Sequence, residues 1–358
     1  MTIDRDFWSG RKVFLTGHTG FKGAWLAAWL TDLGADVTGF ALAPYTDPAL
    51  WRLIGERLPI TSVEGDVRDG DAVAKAVANA APSVVLHLAA QPIVRTSYLD
   101  PAGTFATNVQ GTVNTLEAVR TVGGVDGVVV ITSDKVYENR GTGEPHREDS
   151  RLGGDDPYSA SKAAAEHVVH AYRTSYRGQG FPPMASVRAG NVVGGGDWST
   201  DRLVPDVVRA LDTGEPVSLR YPQATRPWQH VLDPLSGYLV TAQELVGNAR
   251  SVPPAVNFGP PPEGETSVVD VVERLSAHFD GKPGWVHPGG EEPHEAPRLT
   301  LSIDLARVTL GWRPRLDLEA TLAWTAEWYA AWRAGGDPLE ATLDQIRRYE
   351  ELAPGTRA

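Results

Sequence analysis

Tyr158 and Lys162 stand four residues apart in Tyr158-Ser-Ala-Ser-Lys162, a spacing that puts both side chains on one face of a helix. An ammonium beside a phenol stabilises the phenolate and lowers its pKa, which makes a base for a substrate hydroxyl. Upstream, the apolar run Gly127-Val-Val-Val-Ile ends in Thr132-Ser133-Asp134-Lys135. In an open parallel sheet, ligands lie beyond the carboxyl ends of the strands. A hydroxyl, a carboxyl and an ammonium would therefore face the same ligand as the phenol. Asn108, in Thr107-Asn-Val-Gln-Gly, and the run Leu88-Ala89-Ala90-Gln91 complete the constellation. Taken singly, each motif has a plainer reading: a surface pair on a helix, or a salt bridge at a strand end.

A second site precedes these. Gly17, Gly20 and Gly23 are spaced three apart in Thr16-Gly-His-Thr19-Gly-Phe21-Lys22-Gly23, between an apolar strand and an apolar helix. Glycines there let the chain turn sharply and bring backbone N–H groups to a pyrophosphate at the helix N-terminus. The spacing is G-x-x-G-x-x-G rather than the G-x-G-x-x-G of the dehydrogenase fingerprint. The acid expected for an adenosine ribose is missing from Gly39-Phe-Ala-Leu-Ala-Pro44, and so is an arginine for a 2′-phosphate. Asp66 with Val67, after the third strand, suits the adenine edge, or else caps the helix that follows. The expected cofactor is NAD.

These residues need a scaffold, and the first 190 residues supply one by alternating short apolar runs with helical patterns, the mark of βαβ units. Strands are expected at Val13–Thr16, Ala35–Ala41, up to Asp66, from Ser83, from Gly127 and over Met184–Arg188. Long helices are expected over Pro101–Val122 and Tyr158–Tyr176, with a polar loop over Glu138–Asp156. After Gly190 prolines cluster, segments shorten and tryptophans scatter, until helices around Leu318–Arg333 and Pro338–Leu352. The expected fold is α/β: a doubly wound parallel-sheet Rossmann domain over 1–190, with a return near 230–260 through Ala255-Val-Asn-Phe-Gly, and a smaller mixed α/β substrate-binding lobe over 191–358.

The formal net charge of −12 disfavours nucleic acid and anionic lipid as partners. The absence of cysteine excludes thiol catalysis, thiolate metal sites and disulfides. No His or carboxylate spacing suggests a metal site. No run of about 18 apolar residues and no signal-type N-terminus is present, so the expected location is cytoplasmic.

The glycine spacing, the Leu-Ala-Ala-Gln run, Ser133 and the Tyr158/Lys162 pair together resemble the extended short-chain dehydrogenase/reductases, over nearly the whole chain. Gly17–Trp25, Thr132–Lys135, Arg188-Ala-Gly-Asn-Val-Val-Gly-Gly-Gly-Asp-Trp198 and Arg226-Pro-Trp-Gln-His-Val231 are similar to the branch of that family that dehydrates CDP-glucose. The resemblance implies Tyr158 as base at the glucose 4-hydroxyl, with Ser133 and Lys162 beside it. It implies Asp134 as acid for the departing C6 hydroxyl and Lys135 in the place of the C5 base, where dTDP-glucose enzymes carry Asp-Glu. It also implies a homodimer built on the two long helices.

CDP brings two phosphates to an acidic chain. Arg202, Arg226 and Arg298 are candidates to meet them, with Asn191 as a donor to phosphate or sugar. Arg188 either joins them or orients the loop behind it. His230 is counted with the substrate contacts, although a structural role suits it equally, and Trp228 with the base pocket. Two rivals remain at this level: a sugar-nucleotide 4-epimerase, which needs Tyr158 and NAD but not Asp134-Lys135, and a cofactor-binding sensor, which has no use for the intact catalytic set.

Overall fold

The computed structural model describes residues 2–141, 143–260, 265–279, 283–289 and 299–352. Seven strands form one sheet: β1 (Lys12–Thr16), β2 (Asp36–Ala41), β3 (Thr61–Glu64), β4 (Val84–His87), β5 (Gly127–Ile131), β6 (Met184–Ala189) and β7 (Ala255–Phe258). Their spatial order is β7-β6-β5-β4-β1-β2-β3, and every pairing is parallel. All residues of β4, β5 and β6 are buried, as expected of strands covered on both faces. Side chains alternate between two cores. Leu15, Leu86, Val129 and Val187 face one; Phe14, Val85, Val128 and Val130 face the other.

The helices that cover these faces are α1 (Phe21–Asp32), α2 (Gly70–Ala80), α3 (Gly111–Val122), α4 (Pro157–Ser175), α5 (Leu203–Thr213), α6 (Leu232–Asn248), α7 (Leu318–Arg333) and α8 (Pro338–Glu351). Helices α2, α3 and α4 close one core. Helices α1 and α6 close the other, together with α7 and α8 from the far end of the chain. The long helix expected over Pro101–Val122 is not uniform: Pro101–Phe105 leads into a π-helical turn at Ala106–Gln110, and only then into α3. Such turns shift the side chains that follow by one position, and this one sets the direction of Asn108.

Beyond Gly190 the chain makes short pairs rather than a second sheet: Val192–Val193 with Gln229–His230, Val217–Ser218 with Trp285–Val286, and Thr225–Pro227 with Glu265–Ser267. Helix α8 is clasped at both ends of the sequence. The Trp29 indole donates to Glu350 Oε1 (2.6 Å), and Arg315 Nη1 to the Tyr349 carbonyl (2.7 Å). Asp233, fully buried on α6, accepts from Arg315 N (2.8 Å) and from the Tyr349 hydroxyl (2.7 Å). Among the described residues no helix is long and apolar enough to cross a membrane.

Candidate active site

A cleft of about 450 Å³ runs along the carboxyl ends of the strands, where β1 and β4 diverge to opposite sides. One end is the glycine loop. Gly17 has φ +77°, and a Cβ there would lie 2.7 Å from Ala89 N. At Gly23 a Cβ would lie 2.0 Å from the Gly17 carbonyl oxygen. Both positions therefore exclude side chains. Gly20 is the N-cap of α1 and offers no side-chain cap, so the first-turn N–H groups at Phe21, Lys22 and Gly23 remain available to an anion in the cleft. The Thr19 hydroxyl ties the loop to β2 through the Leu42 carbonyl (2.8 Å). Asp66 and Val67 line the same end. Asp66 accepts from Arg68 N (2.9 Å), and the Arg68 guanidinium beside it holds its carboxyl below the ordinary range. A cradle emptied of Cβ atoms, an uncapped helix and a carboxylate at the far wall fit a dinucleotide.

Leu88, Ala89 and Ala90 form the floor. Gln91 and Asn108 stand behind it and are occupied with each other. Gln91 N donates to Asn108 Oδ1 (2.8 Å), while Asn108 Nδ2 reaches the Gln91 carbonyl (3.1 Å) and Ser161 Oγ (2.8 Å). They set the floor's position rather than forming its surface.

Ser133, Asp134, Lys135 and Tyr158 meet at the other end of the floor. The Ser133 hydroxyl donates to Asp134 Oδ1 (2.9 Å) and lies beside the Tyr158 phenol. Burial pushes the Asp134 carboxyl up, against the opposing pull of Lys135, Ser133 and Arg226. Burial also raises the Tyr158 phenol, against Ser133 and Arg202. This differs from the expectation that Lys162 would depress it. Lys162 lies behind Tyr158, its Nζ donating to the Ile131 carbonyl (3.2 Å). Burial and the nearby Lys22 ammonium bring Lys162 itself down to about 7, with Glu166 opposing. Lys22 is lowered to about 8 by burial and Arg202. Lys22 thus belongs to the catalytic end as well as to the glycine loop, which its motif alone did not reveal.

Asn191, Arg202 and Arg226, all beyond Gly190 in the chain, also line the cleft. Trp228 lies there too, buried, its indole N–H unpartnered among the described residues. Arg188 and His230 do not reach the cleft, which corrects their reading as substrate contacts. Arg188 Nε and Nη2 donate to Glu166 (2.9 and 2.8 Å), and Nη1 donates to the Tyr137 hydroxyl (2.7 Å). A buried carboxylate requires such a partner, and Arg188 supplies it. His230 is enclosed by the edges of Trp25 and Trp324, and burial lowers it to about 3. Arg298 lies outside the described residues. Sequence reasoning missed Tyr45, Ser199, Arg95 and Asp201. The Tyr45 hydroxyl donates to Ser199 Oγ (2.7 Å), and Arg95 pairs with Asp201 (3.1 Å), joining the segment after the floor to the one that follows Gly190. These residues come from distant segments without a shared motif, so only the fold could join them. Among the described residues no group of three His, Asp or Glu side chains is placed to hold a metal.

The chain is 44% identical to the CDP-glucose 4,6-dehydratase of Salmonella typhimurium, over 97% of this chain and 98% of that protein. It is 27% identical to UDP-glucuronate 4-epimerase 4 of Arabidopsis thaliana, over 91% of this chain and 77% of the relative. Among solved structures, MoeE5 in complex with UDP-glucuronic acid and NAD is similar with a TM-score of 0.74 and 26% identity, covering 89% of this chain and 99% of that one. Residues 13–257 match the model of the NAD dependent epimerase/dehydratase family. With more than half its length in that match and a 44% relative spanning it end to end, the chain belongs to the NAD dependent epimerase/dehydratase family.

Proposed function

We propose that this protein is an NAD-dependent hydro-lyase that converts CDP-glucose to CDP-4-keto-6-deoxyglucose and water. The observation that carries the reading is Asp134: a buried carboxyl that burial raises above its ordinary value, hydrogen bonded to Ser133 and facing the same cleft as Tyr158. An epimerase needs no acid there, whereas elimination of a hydroxyl does. The 44% identity to a CDP-glucose 4,6-dehydratase supports the nucleotide.

The glycine loop, Asp66, Val67 and the Leu88–Ala90 floor would hold NAD, which would supply reversible hydride acceptance to the cycle. The rest is done by side chains. Tyr158 accepts the 4-hydroxyl proton while Ser133 hydrogen bonds the same oxygen. Lys162 behind Tyr158 stabilises the phenolate once a ligand excludes water and rearranges its donors. With a ketone at C4, the C5 hydrogen becomes acidic and passes to Lys135. Asp134 gives its proton to the C6 oxygen, which leaves as water. Lys135 then returns a proton to C5; Tyr158 still holds the 4-hydroxyl proton and Asp134 has lost one, so solvent takes up the first and supplies the second before the next cycle. Arg202, Arg226 and Asn191 meet the diphosphate, and the Trp228 indole N–H donates to it or to the base.

A homodimer fits this reading, built on the helices beside the cleft. Tyr98, Leu99, Phe105 and Val122 are exposed there, and a second copy covering them would bury upwards of about 1,200 Å². A cytoplasmic location suits the supply of sugar nucleotide and cofactor. The test is incubation of the purified protein with CDP-glucose and NAD, followed by the alkali-induced ultraviolet absorbance of a 4-keto sugar. Formation of CDP-galactose without that absorbance would establish a 4-epimerase instead.

A further inference from the structure

A second cavity of about 270 Å³ lies against the first, and the two share a wall made of Val94, Asp134, Lys135, Asn191 and Arg226. Asp134 and Lys135 therefore have two faces. One looks into the cleft that receives cofactor and substrate; the other looks into a space bounded by Asn139, Arg140, Asp155, Asp156 and Ser159. Those five side chains are polar, beside Val94, Tyr137 and Leu299 on the same lining, and Arg140 and Asp155 are exposed to solvent. The volume falls below the roughly 300–1,000 Å³ of ligand pockets. At about 30 Å³ each it holds on the order of nine waters.

The chemistry proposed for the cleft makes water and needs solvent protons, yet a cleft filled by two nucleotides has no room for either to pass. Each turnover releases one water from C6, and the proton taken from C5 must be exchanged or returned. We propose that the second cavity is a water-filled conduit through which the eliminated water leaves and Lys135 and Asp134 exchange protons with solvent. The step balances without another reactant: the C6 oxygen departs with its own hydrogen and the Asp134 proton, Lys135 delivers to C5 a proton in place of the one it removed, solvent reprotonates Asp134, and Tyr158 gives back to solvent the proton it took from the 4-hydroxyl. Ser159 and Asp156 keep the conduit's inner wall fixed. Asp156 caps α4 by accepting from Ser159 N (2.9 Å) and from the Ser159 hydroxyl (2.5 Å).

This inference rests on the dehydratase reading, and one experiment separates the two. Unlabelled CDP-glucose is turned over in D₂O by the parent and by Asn139→Trp, Asp155→Trp and Asn139→Ala, each first shown by thermal shift to bind NAD. The parent and Asn139→Ala should place solvent deuterium at C5 almost completely. In the tryptophan variants, which fill the conduit from different walls, the abstracted hydrogen stays on the Lys135 ammonium. With three equivalent hydrogens on that group, up to about one third of the product should retain protium at C5. Turnover should fall several-fold while the initial reduction of cofactor on mixing is unchanged. Complete deuteration at the parent rate in both tryptophan variants, or in whichever of the two folds, overturns the conduit and leaves the dehydratase reading standing. A parent that makes no 4-keto sugar overturns both.

Discussion

Two buried carboxyls within one layer of the fold are treated in opposite ways. Glu166 on α4 accepts from Thr132 Oγ1 (2.5 Å), Ser186 Oγ (2.6 Å) and two nitrogens of Arg188. Burial alone would raise it, but these donors hold it below its ordinary value. Asp134, at the end of the neighbouring strand, has a Ser133 donor at 2.9 Å and cations at longer range, and burial wins. The first is lowered and sealed; the second is raised and faces open space on two sides. Satisfaction of lone pairs, not depth, decides which buried acid is structural and which can do chemistry.

The largest effect should come from removing the poised acid. Asp134→Asn keeps an acceptor for Ser133 but cannot protonate the C6 oxygen. Dehydration should slow by about 10²–10⁴-fold, while the near-ultraviolet absorbance of reduced cofactor accumulates after CDP-glucose is added. Melting should not drop, because the replaced group was already costly to ionise. Parent-rate dehydration would reduce Asp134 to a strand-end polar residue. Tyr158→Phe should slow turnover over the same range but block it earlier, so that no reduced cofactor builds up while thermal shifts with CDP-glucose persist.

Breaking the sealed cluster should instead cost stability. Arg188→Met leaves Glu166 buried without its counter-charge, a loss of about 3–5 kcal/mol in denaturant unfolding. The orphaned Glu166 would have its folded pKa raised above the unfolded one. It then takes up a proton on folding, so the deficit should grow as pH rises from 5 to 8. Replacing both, Glu166→Leu with Arg188→Met, should recover part of it. A deficit that does not change with pH would mean that lost packing, not charge, sets the cost.

Asp233 sharpens the distinction with the smallest effect. Burial lifts it to about 6, although Arg315 N and the Tyr349 hydroxyl satisfy one oxygen; the other is unpartnered among the described residues. It is raised like Asp134 but faces no cleft. Its folded pKa exceeds the unfolded value, so the parent should lose stability as pH rises between about 4 and 6. Asp233→Asn should flatten that slope and raise stability at pH 8 by about 1 kcal/mol, with no change in turnover.

Much of this was legible in the sequence because it is local. Six of the seven strands follow from apolar runs before Gly190, and the seventh from Ala255-Val-Asn-Phe-Gly. The glycine loop and the Ser133–Tyr158–Lys162 set lie within contiguous motifs. What was not legible depends on pairing across the chain. Arg188 sits in a run that resembles a ligand loop, and only the position of Glu166, on a helix packed behind β5 and β6, turns its guanidinium inward. His230 follows Trp228 by two residues, yet the two diverge, one into the cleft wall and one between indole rings. The lowered pKa of Lys162 was not legible for the same reason: burial is its main cause, and Lys22, 140 positions earlier, adds to it.

The clasp of α8 carries a consequence for synthesis. The apolar face of α1 leaves a ribosome well before α8, and Trp29 on it finds its indole acceptor in Glu350, 321 positions later. Helix α6 likewise waits for Tyr349 to reach Asp233. Until α8 has been made, that side of the sheet must stay exposed or be shielded by a chaperone. Contacts of such sequence separation also make closure slow. Ribosome-stalled chains should therefore gain protease resistance late, on release of the α8 segment, rather than step by step as each βαβ unit emerges.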